Sequence, residues 1–243
     1  MTTLTIVLFC LVIFITHFLG SVTGNGCTVL ALPFAIMLTG IKIAKPVLTI
    51  CGLLLCLYVV LVSYKDIVWK QYFRIMIFAG IGLPIGMWIF NKFPENVLKS
   101  ILGIFIIVIS IKGLINCYKT NKVTKPINNS VLNFIVFIGG CVQGAFTSGG
   151  PLVIIYATEK LKNKSNFRST LCMVWVTLNA IIVVQNFVTG AITPEVTKLL
   201  LFTLPFLLLG AILGNYAYHK INDTIFNKMV YIILFISAMF MFL

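Results

Sequence analysis

Acidic side chains are nearly missing from this chain: five Asp and Glu stand against 18 Lys and Arg in 243 residues. Those five, Asp66, Glu95, Glu159, Glu195 and Asp223, fall in loops or at the ends of apolar runs, so no buried carboxylate is offered to hold Na⁺ or relay protons as cation transporters do. Charge of either sign is scarce, at 9%, while 60% of residues are hydrophobic and the mean hydropathy is +1.10. That leaves too little polar surface to clothe a soluble globule. Histidine occurs twice, and seven cysteines (Cys10, Cys27, Cys51, Cys56, Cys117, Cys141, Cys172) form no C-x-x-C pair and no metal-ligand spacing with it. They read as small buried hydrophobes. With no H-E-x-x-H, no P-loop and no nucleophile–base pair, no metal or cofactor is expected and an enzyme is disfavoured. The cationic excess would suggest nucleic acid in a soluble protein. Here the cations lie between hydrophobic segments, where they oppose translocation of loops, so no nucleic-acid partner is expected.

What the chain does have is apolar sequence long enough to cross lipid several times, which reads as an all-α polytopic membrane protein. The first run, Leu4 to Thr39, has no basic leader before it and is expected to remain as a membrane element rather than a cleaved signal. As one straight helix it would measure about 54 Å against a hydrocarbon core of roughly 30 Å, so it must break, at the glycines between 20 and 26. Helices are expected near Val47 to Ser63, Ile75 to Phe90 and Val97 to Cys117. Between them lie a basic loop, Lys42 to Lys45, and a second loop, Tyr64 to Lys70, with an interfacial Trp69. A basic linker, 121–130, divides a first transmembrane repeat, 1–120, from a second, 131–243. The second repeat is expected to hold a broken segment from Val131 to Thr158, a basic loop from Glu159 to Arg168, and helices near Thr170 to Val188, Lys198 to Ala217 and Ile225 to Leu243.

Gly82-x-x-x-Gly86 with Lys92, Glu95 and Val97 recurs at an offset of 128 as Gly210-x-x-x-Gly214 with Lys220, Asp223 and Ile225. Gly20 and Gly24 recur at an offset of 120 as Gly140 and Gly144. This is the mark of an internal duplication. Charge then bears on the fold of the second break. If Val131 to Thr158 crosses once, the loops carry 10 Lys and Arg on one side and 8 on the other; if it turns back as a re-entrant hairpin, the split is 13 to 5. The hairpin fits the cytoplasmic enrichment of Lys and Arg. The expected fold is two inverted repeats, each a broken, re-entrant helical hairpin plus three transmembrane helices, with both termini outside.

Interrupted backbone at membrane depth is tolerated only where protein or a wet cavity covers its N–H and C=O groups, so two matched breaks point to a binding site. Helix-end amides there favour an anion, and glycine lets it approach the backbone. The candidate substrate-binding residues are Thr23, Gly24, Asn25, Gly26 and Thr28 at the first break and Gln143, Gly144, Thr147, Ser148, Gly149 and Gly150 at the second. Asn179, mid-helix, joins them, because an amide in lipid is expected to bond either a substrate or the broken backbone. Glycines that merely permit close helix packing are the competing account, preferred for Gly82-x-x-x-Gly86 and Gly210-x-x-x-Gly214. His17, the only ionisable side chain plainly inside a membrane run, is a candidate proton or substrate contact, against the alternative of a neutral structural histidine. Arg168, at a helix entrance, is a candidate for electrostatic attraction of anions, or else a snorkelling charge that sets orientation.

At these residues the chain resembles the TauE/SafE sulfite exporter family, also called TSUP. The likeness runs nearly end to end. It comprises a glycine-rich break followed by a proline (Gly20 to Pro33), Asp66-Ile67-Val68-Trp69, Leu98-x-x-x-Leu102-Gly103, Gly144-x-x-x-x-Gly149-Gly150-Pro151 with Val153-Ile154-Ile155-Tyr156, Phe167-Arg168-Ser169-Thr170, Asn179 and Gly190-x-x-Thr193. Where the family carries a run of glycines in the first repeat, this chain reads Gly24-Asn25-Gly26-Cys27-Thr28. The resemblance implies a permease for sulfite, organosulfonates or related oxyanions in a bacterial-type plasma membrane. The reading is therefore a secondary transporter or facilitator that exposes a midplane anion site alternately to either side; a homo-oligomer is compatible with it. The alternatives are a passive anion channel and, more remotely, a membrane thiol or quinone oxidoreductase built on the cysteines.

Overall fold

A computed structural model describes residues 2–23, 27–118, 127–161 and 163–217, together with 231–232, 234–236 and 238–239. The described residues are helical, with no strand among them: α1 Thr3–Thr23, α2 Cys27–Thr39, α3 Ile41–Ser63, α4 Trp69–Lys92, α5 Glu95–Tyr118, α6 Asn129–Phe146, α7 Gly150–Lys160, α8 Lys164–Val188 and α9 Pro194–Ala217, with a 3₁₀ turn at Tyr64–Asp66. Six of them, α3, α4, α5, α6, α8 and α9, are long and apolar enough to cross a membrane. The chain is an all-α polytopic membrane protein. Most of the basic linker and of the expected helix from Ile225 to Leu243 lies outside the described residues.

Two expected basic loops turn out to begin helices. The Asn163 side chain accepts the amides of Ser165 at 2.8 Å and Asn166 at 3.3 Å, capping α8 four residues earlier than Arg168. At α3 the chain leaves α2 through Gly40, whose φ of +77° suits glycine, and the Glu95 carboxylate accepts the amide of Ile41 at 3.3 Å. A carboxylate at a helix start satisfies an orphan donor and opposes the positive end of the dipole. Lys and Arg are good helix formers, so nothing local keeps these turns unwound. Lys42, Lys45, Lys164 and Arg168 are all helical.

Gly190-x-x-Thr193 is a stop followed by a start. Gly190 takes φ +68°, while Ala191 donates to the Asn186 carbonyl at 2.8 Å and Gly190 to that of Phe187 at 3.1 Å, the paired bonds of a Schellman cap. Three residues on, Thr193 Oγ1 accepts the amide of Val196 at 3.3 Å, with Pro194 at the first position of α9.

Beside the two breaks, Thr23 and Phe146, Cys27 and Gly150, Ile41 and Lys164 are each 123 positions apart, while Thr39 and Lys160 are 121 apart and Trp69 and Pro194 are 125 apart. The glycines give offsets of 120 and 128 and these helix ends an intermediate one, because a glycine marks where backbones approach, not where a helix stops. At the offset of 123, Gly140 stands where His17 does, and Arg168 where Lys45 does.

The chain divides into two compact units, one of Met1–Ala44, Phe93–Lys125 and Leu201–Leu243 and one of Lys45–Lys92 and Pro126–Leu200. In the first, α1 packs on α2, and α9 closes on α1: a Cβ on Gly210 would lie 2.7 Å from the Phe14 carbonyl oxygen. In the second, α4 and α6 meet through both their glycine pairs. A Cβ would fall 2.3 Å from the Phe137 carbonyl oxygen at Gly82, 1.9 Å from that of Cys141 at Gly86, 2.2 Å from that of Ala79 at Gly140 and 2.2 Å from that of Leu83 at Gly144. Small residues here bring backbone against backbone, the packing that serves where water supplies no driving force. Around this seam a core forms from Tyr72, Ile75, Leu132, Tyr156, Leu178 and Ile182.

Candidate functional site

The second break lies entirely in the second unit. Helix α6 ends when Thr147 adopts φ +53°, a left-handed conformation rarely taken by a β-branched residue. Its amide still reaches back to the Gln143 carbonyl at 2.8 Å. Ten residues of continuous helix would separate Gly139 from Gly149 by about 15 Å. Instead a Cβ on Gly149 would lie 2.1 Å from the Gly139 carbonyl oxygen, so α7 doubles back along α6.

Gln143 holds this reversal in place. Its side-chain oxygen accepts the Gly149 amide at 2.9 Å, and its side-chain nitrogen donates to Asn179 Oδ1 at 2.8 Å on α8. One amide thus links the end of α6, the start of α7 and the middle of α8. The hydroxyls of Thr147 and Ser148 both donate to the Phe146 carbonyl, at 2.7 and 3.1 Å. They satisfy a carbonyl orphaned by the end of α6, which leaves their lone pairs, not their protons, for other partners. Gln143, Thr147, Ser148, Gly149 and Asn179 are all buried. The amides of Ser148 and Gly150 make no hydrogen bond among the described residues. Both are donors at the N-terminal end of α7, where the helix dipole favours negative charge. Gly150 has room as well, the nearest atom to a Cβ there being on Trp175 at 3.9 Å.

Gly144 is drawn in on two sides. Its missing side chain faces α4, and its carbonyl oxygen accepts the Lys45 ammonium at 2.8 Å. Lys45 is 2% exposed and also lies over the Phe90 ring, 3.5 Å from its centroid. A lysine buried at this depth is the feature that grouping Lys42 to Lys45 as a loop conceals. The signal for it is helical phase: Ile41, Ala44, Lys45 and Leu48 share one face, and all four are buried.

Of the remaining sequence candidates, Gly24, Asn25 and Gly26 lie outside the described residues, and Thr23 closes α1. Thr28, half-buried, is the second residue of α2. His17 is fully buried in the first unit; its Nδ1 bonds the Ile13 carbonyl at 2.9 Å and its Nε2 has no partner among the described residues. Arg168 is half-buried in the second turn of α8. No acidic side chain is buried among the described residues.

The architecture, the reversal at 146–150 and the tied turn at Gly190 extend over the same stretch as a match to the family model for sulfite exporter TauE/SafE, which covers residues 9–241. The chain belongs to the sulfite exporter TauE/SafE family. Among curated proteins, the "Probable inner membrane transporter protein TsaS" of Comamonas testosteroni is 21% identical over 178 residues, 73% of either chain. No solved structure matches it. As a TauE/SafE protein the chain is a membrane transporter, and its functional group is to be sought among residues that face one another inside the helices.

Proposed function

We propose that this TauE/SafE protein is a secondary transporter or facilitator of a small anion, of the sulfite, sulfoacetate or thiosulfate class, in a bacterial-type inner membrane. The observation that carries the reading is the reversal at Thr147 to Gly150, where the amides of buried Ser148 and half-buried Gly150 have no acceptor among the described residues at the start of a helix and a Gln143–Asn179 bridge holds the turn. Family membership supports transport, and the absence of buried acids among the described residues favours an anion over a cation. The binding set comprises Gln143, Gly144, Ser148, Gly149, Gly150 and Asn179, with Ser148 and Gly150 acting through their backbone amides while the Thr147 and Ser148 hydroxyls stay on the Phe146 carbonyl, matched by Thr23, Gly24, Asn25, Gly26 and Thr28 in the first repeat. Alternate exposure of these two breaks by inverted repeats moves the anion.

The test is uptake of labelled sulfite, sulfoacetate, thiosulfate and acetate into proteoliposomes. The wild-type protein is expected to take up one or more and to show counterflow, which a passive channel does not. Gln143→Leu and Asn25→Leu are expected to abolish uptake while leaving membrane insertion intact. Undiminished uptake by both would remove the site from the breaks.

A further inference from the structure

Lys45 stands one turn into α3 with its ammonium on the Gly144 carbonyl and against the face of Phe90. An ammonium carries three donors, and only one has an acceptor among the described residues. No carboxylate compensates it either: among the described residues the one ion pair is Lys99 with Glu95, at 3.0 Å. A cation in an apolar helix bundle is costly unless paired, and is ordinarily kept for a purpose. One carbonyl dipole and one aromatic face compensate it in part. Gly144 is the neighbour of Gln143 and three residues from Thr147, so the spare N–H groups lie at the end of the same helical turn that forms the break.

We propose that Lys45 is the charge-binding residue of the anion site, its ammonium sharing itself between the Gly144 carbonyl and one oxygen of the transported anion. This rests on the anion reading of the break and narrows it. The ligand must carry a full negative charge, a sulfonate or sulfite rather than a neutral sulfone or sulfonamide, because the backbone amides recognise any oxygen acceptor and the ammonium selects the charged one. A purely structural role, Lys45 capping the carboxyl end of α6, needs only a hydrogen-bond donor.

The distinction is measurable on the full-length purified protein by calorimetric binding of sulfite, sulfoacetate, thiosulfate and acetate, with methanesulfonate and methanesulfonamide as a charged and uncharged pair. Lys45→Gln keeps a donor for the Gly144 carbonyl and removes the charge; Lys45→Arg keeps the charge. The Gln variant is expected to weaken the tightest anion by roughly 10- to 100-fold, the worth of a charge-assisted hydrogen bond, and to lose any preference for methanesulfonate over methanesulfonamide. The Arg variant keeps most of both. Should the Gln variant fail to reach the membrane, Lys45→Met, of similar length, takes its place. If the charge-free variants bind anions like wild type while Gln143→Leu does not, Lys45 is only a helix cap and this proposal falls, leaving the break as the site. If wild-type protein binds no anion of the panel, the reading of the break falls and the proposal with it.

Discussion

The backbone N–H of Val68 donates to the hydroxyl of Thr170 at 3.0 Å, tying the turn after α3 to the second turn of α8 across 102 residues of sequence. Ser165 donates its hydroxyl to the Asp66 carboxylate at the same junction. Asp66-Ile67-Val68-Trp69 and Phe167-Arg168-Ser169-Thr170, which look like two separate signatures, are thus two sides of one contact. Thr170 is fully buried and Val68 half-buried, so the bond between them is partly shielded from water.

Thr170→Val is therefore expected to lower stability by about 0.5–1.5 kcal/mol, the net worth of one intramolecular hydrogen bond. Thr170→Ser should recover most of it. Thermal unfolding of the detergent-solubilised protein measures both, and equal midpoints for Val and wild type would refute the assignment.

The seam between α4 and α6 separates two glycine substitutions on the same helix. Gly86→Ala drives a methyl to within 1.9 Å of a carbonyl oxygen, whereas Gly80→Ala meets nothing within 4 Å. The first should prevent stable folding or cost several kcal/mol through forced backbone displacement. The second should be neutral, or stabilise slightly through helix propensity. Yields of folded protein on gel filtration suffice to tell them apart.

Gln143 and Asn179 should behave as a coupled pair. A double-mutant cycle with Ala at each position is expected to give a coupling of about 0.6–1.7 kcal/mol, the range for side-chain hydrogen bonds between membrane helices. Additive single-site losses would show that the bridge contributes nothing to the break.

His17 offers a contrast between stability and transport. Its Nδ1 donates to a carbonyl that the helix ladder already serves, and its Nε2 bonds nothing among the described residues, so His17→Leu removes little that holds the helix. Stability is expected to change by less than about 1 kcal/mol while proteoliposome uptake falls. Unchanged uptake would make His17 a structural residue.

Much of this was legible because membrane sequences obey few constraints. Apolar length revealed the spans, and Gly149-Gly150-Pro151 after a polar interruption revealed where α6 must stop. Other features depend on contacts that no local pattern encodes. Each G-x-x-x-G could be read as a packing face, but nothing in either said that Gly82 and Gly86 would meet Gly140 and Gly144 rather than lipid-facing neighbours. Lys45 escaped because a lysine beside Lys42 and Pro46 resembles a loop, and only the carbonyl of Gly144, 99 residues away, explains its burial. The helix starts at Ile41 and Lys164 were likewise hidden, one by a cap from the remote Glu95 and one because Asn163 lies among charges.

The glycine seam also restricts motion. At the four glycines between α4 and α6 backbone lies against backbone, so no rotamer there could turn to absorb a slide of one helix past the other; displacement by even part of a turn would press amide planes together. Whatever rearrangement carries cargo across the bilayer, these two helices travel as a single lever. The joint that bends must be sought at chain segments outside that welded pair.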